Sequence, residues 1–157
     1  MSMRLVVAAL AFASLAGTAA ADSGHGAKER AFGHPGTADK VTRTIAVTAS
    51  DDMKFSPPNM TVRQGETIRF VVKNIGKLVH EFSIGDLPTQ RAHALMMKKN
   101  PDMKHDEDPT AVTLDPGETK ELIWSFDKNP RSPLVFACQI PGHYDAGMVI
   151  RASLLPR

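Results

Sequence analysis

From residue 41 onward the chain consists of short segments whose apolar residues follow the periodicity of β-strands. Residues 117–126, for example, place Leu122, Trp124 and Phe126 two positions apart, which predicts a strand with one face turned inward. The segments with this character are residues 42–48, 67–72, 117–126, 134–137 and 148–152. Because Pro and Gly turns separate them, they favour an all-β, antiparallel sandwich with meandering or Greek-key connections.

One segment departs from the strand pattern. Residues 88–99 are rich in helix formers such as Ala92, and the pair Asn100-Pro101 predicts the end of a helix. We therefore expect a short helix inside an insertion at about residues 86–110, between two strands of the sandwich.

The amino-terminal segment is typical of an exported protein. Residues 1–21 contain Arg4, an apolar stretch at 5–15 and a small-residue cleavage site, which together predict a secretory signal peptide. The apolar stretch is shorter than the roughly 20 residues of a membrane-spanning helix, which disfavours the alternative of an uncleaved anchor. Residues 22–40 predict a flexible arm, and residues 41–157 form one domain, which we expect in the periplasm.

Net charge and cysteine content limit the classes of partner and the roles of the single thiol. The formal net charge of +2 falls to +1 (2 − 1) when Arg4 is removed with the signal peptide, so the charge balance implies no nucleic-acid partner. We expect a monomer without a membrane span after cleavage. Cys138 is the only cysteine, so no internal disulfide forms. Its thiol is then either buried and inert, bridged to another chain, or bound to a metal.

The most informative stretch is the loop at residues 138–148. In it Cys138, His143 and Met148 recur five positions apart, so that a thiolate, an imidazole and a thioether share one loop between two predicted strands. One thiolate with imidazoles and a thioether suits copper, whereas structural zinc sites usually take four Cys or His ligands. We expect the second imidazole to be His80, which lies among apolar residues after a predicted strand. The remaining histidines lie on the arm (His25 and His34) or in the insertion (His93 and His105).

These residues resemble the cupredoxin family of plastocyanin, azurin and rusticyanin. The similarity rests on residues 55–57, 62–65 and 67–74, on His80 and on the Cys-x4-His-x4-Met loop, whose Cys-Gln-Ile-Pro-Gly-His wording is most similar to that of rusticyanin. The resemblance implies a Greek-key β-sandwich with one mononuclear type 1 copper, ligated by His80, Cys138, His143 and Met148. Plastocyanin and azurin have asparagine after the first histidine, whereas this chain has Glu81. We interpret Glu81 as a solvated acid at a strand edge; the alternative is a group that contacts the ligands and tunes them.

Such a site favours a single-electron carrier that docks with redox partner proteins through small residues around His143, namely Pro141, Gly142 and Ala146. Catalysis is disfavoured, because no second His-rich copper motif and no acid-base pair stands out. We interpret Trp124 as a core residue rather than an electron-tunnelling group. Tyr144 is interpreted as an exposed loop residue, with shielding of the copper as the alternative.

A second function remains open, namely copper tolerance, in which the protein binds or sequesters copper and works with copper-handling proteins. It depends on extra soft ligands in the insertion, which would form a secondary copper site. These ligands are His93, Met96, Met97, Met103 and His105. We favour the other interpretation of these residues, in which Leu95 and Met96 pack the helix onto the sandwich while the histidines are solvated.

Overall fold

The computed structural model describes residues 30–105 and 107–157. The predicted signal peptide, and residues 22–29 of the predicted arm, lie outside the described residues. The strands are β1 (His34–Pro35), β2 (Arg43–Ser50), β3 (Lys54–Ser56), β4 (Thr61–Arg63), β5 (Thr67–Asn74), β6 (His80–Asp86), β7 (Ala111–Leu114), β8 (Thr119–Ser125), β9 (Leu134–Ala137) and β10 (Val149–Leu155), and the helix is α1 (Leu87–Lys99). Within the two described ranges, no helix has the length and apolar character needed to cross a membrane.

Two five-stranded sheets form the sandwich. One has the order β1-β8-β5-β2-β3 and the other the order β4-β10-β9-β6-β7, which confirms the predicted β-sandwich with a helix between two strands. The sandwich is not purely antiparallel, because β2 pairs with β5 and β4 pairs with β10 in parallel. Both parallel pairs arise because β4 belongs to the opposite sheet, so the chain leaves the first sheet after β3 and returns to it in β5.

Aromatic side chains fill the space between the sheets. Phe82 of β6 stacks on Phe136 of β9 with ring centroids 5.4 Å apart, and Phe70 of β5 lies 5.2 Å from Phe136 across the sandwich. All three are fully buried, as is Trp124 of β8, in agreement with the interpretation of Trp124 as a core residue. Burial of this apolar surface is the main stabilising contribution to the fold.

The segment before β2 is part of the sandwich, contrary to the flexible arm that the sequence predicts for residues 30–40. Phe32 is fully buried, with its ring centroid 5.2 Å from that of Trp124. The indole Nε1–H of Trp124 donates to the carbonyl oxygen of Phe32 at 3.3 Å, and β1 pairs with β8. The abundance of Gly around Phe32 hid this contact, since Gly33 and Gly36 serve close backbone approach to β8 rather than flexibility.

Helix α1 follows β6 without an intervening loop and packs on β6 and β9. The side chain of Asp86 caps it by accepting a hydrogen bond from the N–H of Thr89 at 3.0 Å. The helix ends at Lys99, which confirms the stop predicted at Asn100-Pro101. Because α1 covers the outer face of β6, every residue of β6 is buried, including its polar ones.

Candidate metal centre

The loop between β9 and β10 holds three of the predicted ligands by main-chain hydrogen bonds. The N–H of Cys138 donates to the carbonyl of Met148 at 3.1 Å, and the N–H of Met148 donates to the carbonyl of His143 at 3.0 Å. Gly142 and Gly147 have φ angles of 91° and 106°, a left-handed conformation in which L side chains are strained. The loop therefore turns sharply at these two glycines and returns the chain to Cys138.

His80, the first residue of β6, is fully buried and is oriented by Asp51. Its Nε2 atom lies 3.1 Å from Oδ1 of Asp51. Asp51 also accepts hydrogen bonds from the main-chain N–H groups of Lys77 at 2.8 Å and Leu78 at 3.2 Å. These two bonds, and then the contact with His80, hold the pKa of Asp51 below its usual value. A carboxylate on one nitrogen of an imidazole fixes the tautomer and leaves the other nitrogen as an acceptor.

That other nitrogen, Nδ1 of His80, is buried and has no hydrogen-bond partner among the residues that the structure describes. A buried polar atom in a native fold is normally satisfied, so an unpartnered one calls for a ligand or an ion. His80 shares its surroundings with Cys138 and His143: one ligand atom of each of the three lies within 4.8 Å of the other two. The Sγ atom of Cys138 lies 3.3 Å from Nδ1 of His143, and the two imidazole centroids are 5.2 Å apart.

The protonation states of this cluster fit a soft cation. Burial raises the pKa of the Cys138 thiol to about 12, so the thiolate requires a positive partner. Partial burial, and then the nearby His80, lower the pKa of His143, which keeps its ring in the neutral form that binds metals. The main-chain N–H of Glu81 donates to Sγ of Cys138 at 3.3 Å, which stabilises negative charge on the sulfur. A thiolate and neutral imidazoles are the ligands that copper prefers.

The fourth predicted ligand, Met148, is fully buried in the core cluster immediately before β10. Its main chain is joined to those of Cys138 and His143, so its side chain starts from the same end of the sandwich. His143 and Tyr144 are half-buried, whereas Pro141, Gly142 and Ala146 of the same loop are exposed.

Glu81 is fully buried and is not a solvated strand-edge acid. Its Oε1 atom accepts a hydrogen bond from the N–H of Gln139 at 3.3 Å. Its Oε2 atom lies 3.1 Å from Nε2 of His93 and 3.0 Å from Nε2 of His105. Burial raises the pKa of Glu81, but the hydrogen bonds and charges of His105 and His93 outweigh it and bring the pKa to about 2. Glu81 is therefore an ionised carboxylate inside the protein.

The five Met and His residues that the sequence predicts as extra ligands in the insertion differ in their burial. His93, Met97 and His105 are buried together around Glu81, whereas Met96 is half-buried and Met103 is exposed. The favoured interpretation, in which Leu95 and Met96 pack the helix and the histidines are solvated, is wrong for Leu95 and for both histidines. Leu95 is 64% exposed, and the buried face of α1 consists of Gln90, His93 and Met97. Hydrophobicity could not identify this face, because it is turned toward polar residues of β6.

Sequence reasoning missed Asp51 and Gln139. Asp51 lies in the turn after β2, and no local pattern connects it with His80, which is 29 positions away. Gln139 stands inside the recognised loop, but its hydrogen bond to Glu81 spans 58 positions. The contact of Asp51 with His80 depends on how the two sheets are joined, and that of Gln139 with Glu81 depends on the pairing of β6 with β9 within one sheet.

Comparisons with known proteins agree with this architecture. A family model described as a cupredoxin-like domain matches residues 5–131, a range that ends before the loop of Cys138. The chain is 45% identical over 156 residues to the copper-resistant cuproprotein CopI of Rubrivivax gelatinosus, covering 92% of this chain and 90% of the relative. It is 38% identical over 168 residues to the copper-resistant cuproprotein CopI of Pseudomonas aeruginosa, covering 88% and 89%.

Among solved structures, the reduced auracyanin of Roseiflexus castenholzii superposes with a TM-score of 0.58 and 22% identity, covering 74% of this chain and 99% of that chain. Structural similarity at this level of identity shows the fold alone: both proteins have the same β-sandwich. The resemblance expected from the ligand loop is therefore confirmed. The chain belongs to the cupredoxin-like domain family.

Proposed function

We propose that this protein is an exported copper-binding cupredoxin that protects the periplasm from copper, holding one ion with His80, Cys138, His143 and Met148. The observation that carries the proposal is the buried Nδ1 of His80, which has no hydrogen-bond partner within residues 30–105 and 107–157 and lies in a cluster whose ligand atoms are within 4.8 Å of one another. A buried thiol, two imidazoles and a nearby thioether are the donors of type 1 copper sites. The relatives carry the name copper-resistant cuproprotein, which favours tolerance as the biological role.

The residues around the ligands explain how the site is held. Asp51 orients His80, the N–H of Glu81 supports the sulfur of Cys138, and the pairing of β9 with β10 fixes both ends of the loop. Bound copper supplies a one-electron change between copper(II) and copper(I). Because the ligands are anchored to sheet strands, they need little rearrangement when the charge of the ion changes.

Electron transfer is the second candidate function, and the loop surface favours it. His143 is half-buried, and Pro141, Gly142 and Ala146 next to it are exposed and weakly polar. A donor protein docked there would deliver one electron to copper(II), and an acceptor would later remove it from copper(I). In either role we propose a monomer that works with copper-handling or redox partner proteins and catalyses no reaction of its own.

The visible spectrum of the copper-loaded mature protein tests the site. We expect intense sulfur-to-copper charge-transfer bands that disappear in Cys138→Ser. A native protein that binds copper but stays colourless would overturn the proposal.

Growth on copper separates the two roles. A strain without the gene should be copper-sensitive, and the native gene should restore growth where Cys138→Ser does not. Equal copper sensitivity with and without the gene, combined with a coloured, redox-active protein, would assign the protein to electron transfer instead.

A further inference from the structure

A surface groove runs between α1 and the ligand loop. Helix α1 forms one wall, and the loop together with β10 forms the other. Two cavities of about 390 Å³ and about 290 Å³ lie along the groove, and they share Ala94, Gln139 and Tyr144 in their linings. We propose that this groove docks an acidic segment of a partner protein. The inference rests on the proposed function only for the cargo, copper or an electron, that such a partner exchanges.

The charge of the groove is the first argument. Arg91 and Arg151 line the larger cavity, and Lys98 lines the smaller one, where Asp145 is the one acid that the described residues contribute. All three cationic side chains are exposed, and none forms an ion pair with a side chain in residues 30–105 or 107–157. A cleft lined by one sign of charge concentrates groups of the opposite sign. The groove therefore attracts carboxylates.

The spacing of the cations indicates the form of the partner. Arg91, Ala94 and Lys98 stand at positions i, i+3 and i+7 of α1 and so lie on one face of the helix. Arg91 and Lys98 are separated by roughly 10 Å along the helix axis. An extended chain covers this distance in about three residues. An extended segment with carboxylates three residues apart therefore matches both cations, whereas a flat membrane surface does not enter a groove with two walls.

Buried hydrogen bonds join the two walls beneath the groove. Nε2 of Gln139 donates to Oε1 of Gln90 at 2.8 Å, which connects the ligand loop to α1. Nε2 of Gln90 donates in turn to the carbonyl oxygen of Val135 in β9 at 3.0 Å. Gln90 and Gln139 are both buried, so water competes little for these bonds. The groove is thus formed before a partner arrives, which reduces the entropic cost of docking.

The groove ends beside the proposed ligand His143. Gly142 and Tyr144, the two sequence neighbours of His143, both line the smaller cavity, and His143 itself is half-buried. A segment docked in the groove therefore covers the main chain on both sides of His143. The exposed Pro141 also lines this end, so the groove continues into the weakly polar surface of the loop. A bound partner lies where copper or an electron passes to the site without crossing the sandwich.

Peptide titration of the copper(I)-loaded mature protein tests the proposal, because copper(I) is diamagnetic and keeps the amide NMR spectrum sharp. The probe is hexaglutamate with blocked ends, and hexaglutamine controls for charge. We expect hexaglutamate alone to shift the amide signals of residues 91–98 and 139–145. Its affinity should fall when the ionic strength rises from about 0.01 M to about 0.1 M. The absence of binding at the lower ionic strength, or shifts confined to other surfaces, would overturn the proposal.

A pair of arginine variants separates the groove from net charge. Arg91→Gln/Arg151→Gln should weaken hexaglutamate binding by about fivefold or more, with an unaltered copper spectrum. Arg63→Gln/Arg131→Gln removes the same charge from exposed positions; Arg63 precedes Gln64, which lines a cavity at the opposite end of the sandwich. This control should bind hexaglutamate as the native protein does. An equal loss in both double variants would mean that only net charge matters, and the groove would have no role.

Two comparisons distinguish the groove from its alternatives. A coloured copper protein that does not bind hexaglutamate contradicts the docking groove alone, whereas a colourless protein that binds the peptide in the groove contradicts only the proposed function. Phosphatidylglycerol vesicles test a membrane as the partner. If the native protein sediments with the vesicles, Arg91→Gln/Arg151→Gln does not, and hexaglutamate shifts no amide signals, the groove contacts a membrane and the proposal is wrong.

Discussion

The main-chain N–H of Glu81 points at the sulfur of Cys138 over 3.3 Å, while the carboxylate of the same residue lies between His93 and His105. One buried residue thus touches both groups of metal-binding side chains. Its main chain contacts Cys138, and its side chain contacts His93 and His105. A substitution of the side chain therefore changes the second contact and keeps the first.

The first prediction concerns this carboxylate. Glu81→Gln keeps the N–H on Cys138 but removes the charge that the two imidazoles share, so the free energy of unfolding of the metal-free protein should fall by about 1–3 kcal/mol. Urea denaturation measures the change. Glu121→Gln is the control, since Glu121 forms only a half-exposed ion pair with Arg69 at 3.4 Å and should cost less than about 0.5 kcal/mol. If both variants lose the same free energy of unfolding, the buried carboxylate of Glu81 contributes no more to stability than a surface carboxylate.

The second prediction concerns Asp51. Asp51→Asn weakens the contact that orients His80, and loss of such a partner typically lowers metal affinity by about 10–100-fold. Competition with a copper chelator measures this in the mature protein. Asp52→Asn is the matched control, because Asp52 contacts Ser50 and Lys54 at the surface instead. An affinity that is the same in both variants would show that His80 needs no carboxylate.

The third prediction concerns Met148. If its thioether donates to copper, Met148→Leu should keep the coloured site but raise the reduction potential. An apolar side chain in this place disfavours copper(II), the ion of higher charge, and a long axial thioether binds too weakly for its preference for copper(I) to outweigh this. Redox titration followed by absorbance measures the shift. Met60→Leu changes another buried methionine, outside the loop, and should leave the potential unaltered. A potential that moves equally in both variants, or in neither, removes Met148 from the ligand set.

The fourth prediction concerns the exposed loop surface. Ala146→Asp places a charge beside His143, so exchange with a partner that docks there should slow by about tenfold or more, with an unaltered spectrum. Stopped-flow mixing with a reduced cytochrome measures the rate. Asn129→Asp adds the same charge at the opposite end of the sandwich and should have little effect. If Ala146→Asp leaves the rate of electron exchange unchanged, partners dock elsewhere.

The fifth prediction concerns the segment before β2. Phe32→Ala opens a cavity against Trp124 and should lower the free energy of unfolding by about 3–5 kcal/mol. Thermal and urea unfolding measure it. Ile75→Ala, at a site that is 59% exposed, should change stability by less than about 0.5 kcal/mol. A Phe32→Ala protein as stable as the native protein would show that residues 30–40 behave as the flexible arm that the sequence predicts.

The ligand loop and the strands can be predicted from the sequence because their signals are local. Residues 134–137 form an apolar run that corresponds to β9, and residues 88–99 differ from α1 by one residue at the start. His80 is predicted as a ligand largely by elimination among the histidines, and the structure places it beside Cys138 and His143. Phe32 and Glu81 show where such reasoning ends. Phe32 stands among glycines and charged residues, yet it is buried against Trp124 of β8, which is distant in the chain. Glu81 is a residue type that is normally exposed, yet it is buried beneath α1. Local periodicity contains no information about that covering element.

The direct junction of β6 with α1 has a mechanical consequence. Asp86 ends the strand and caps the helix, so no hinge separates them. A slip of one residue in β6 would reverse the direction of every side chain along it, exchanging His80 with Glu81. The start of the insertion is therefore fixed to the sheet, and the distance between the two clusters is set by the pleat of a single strand.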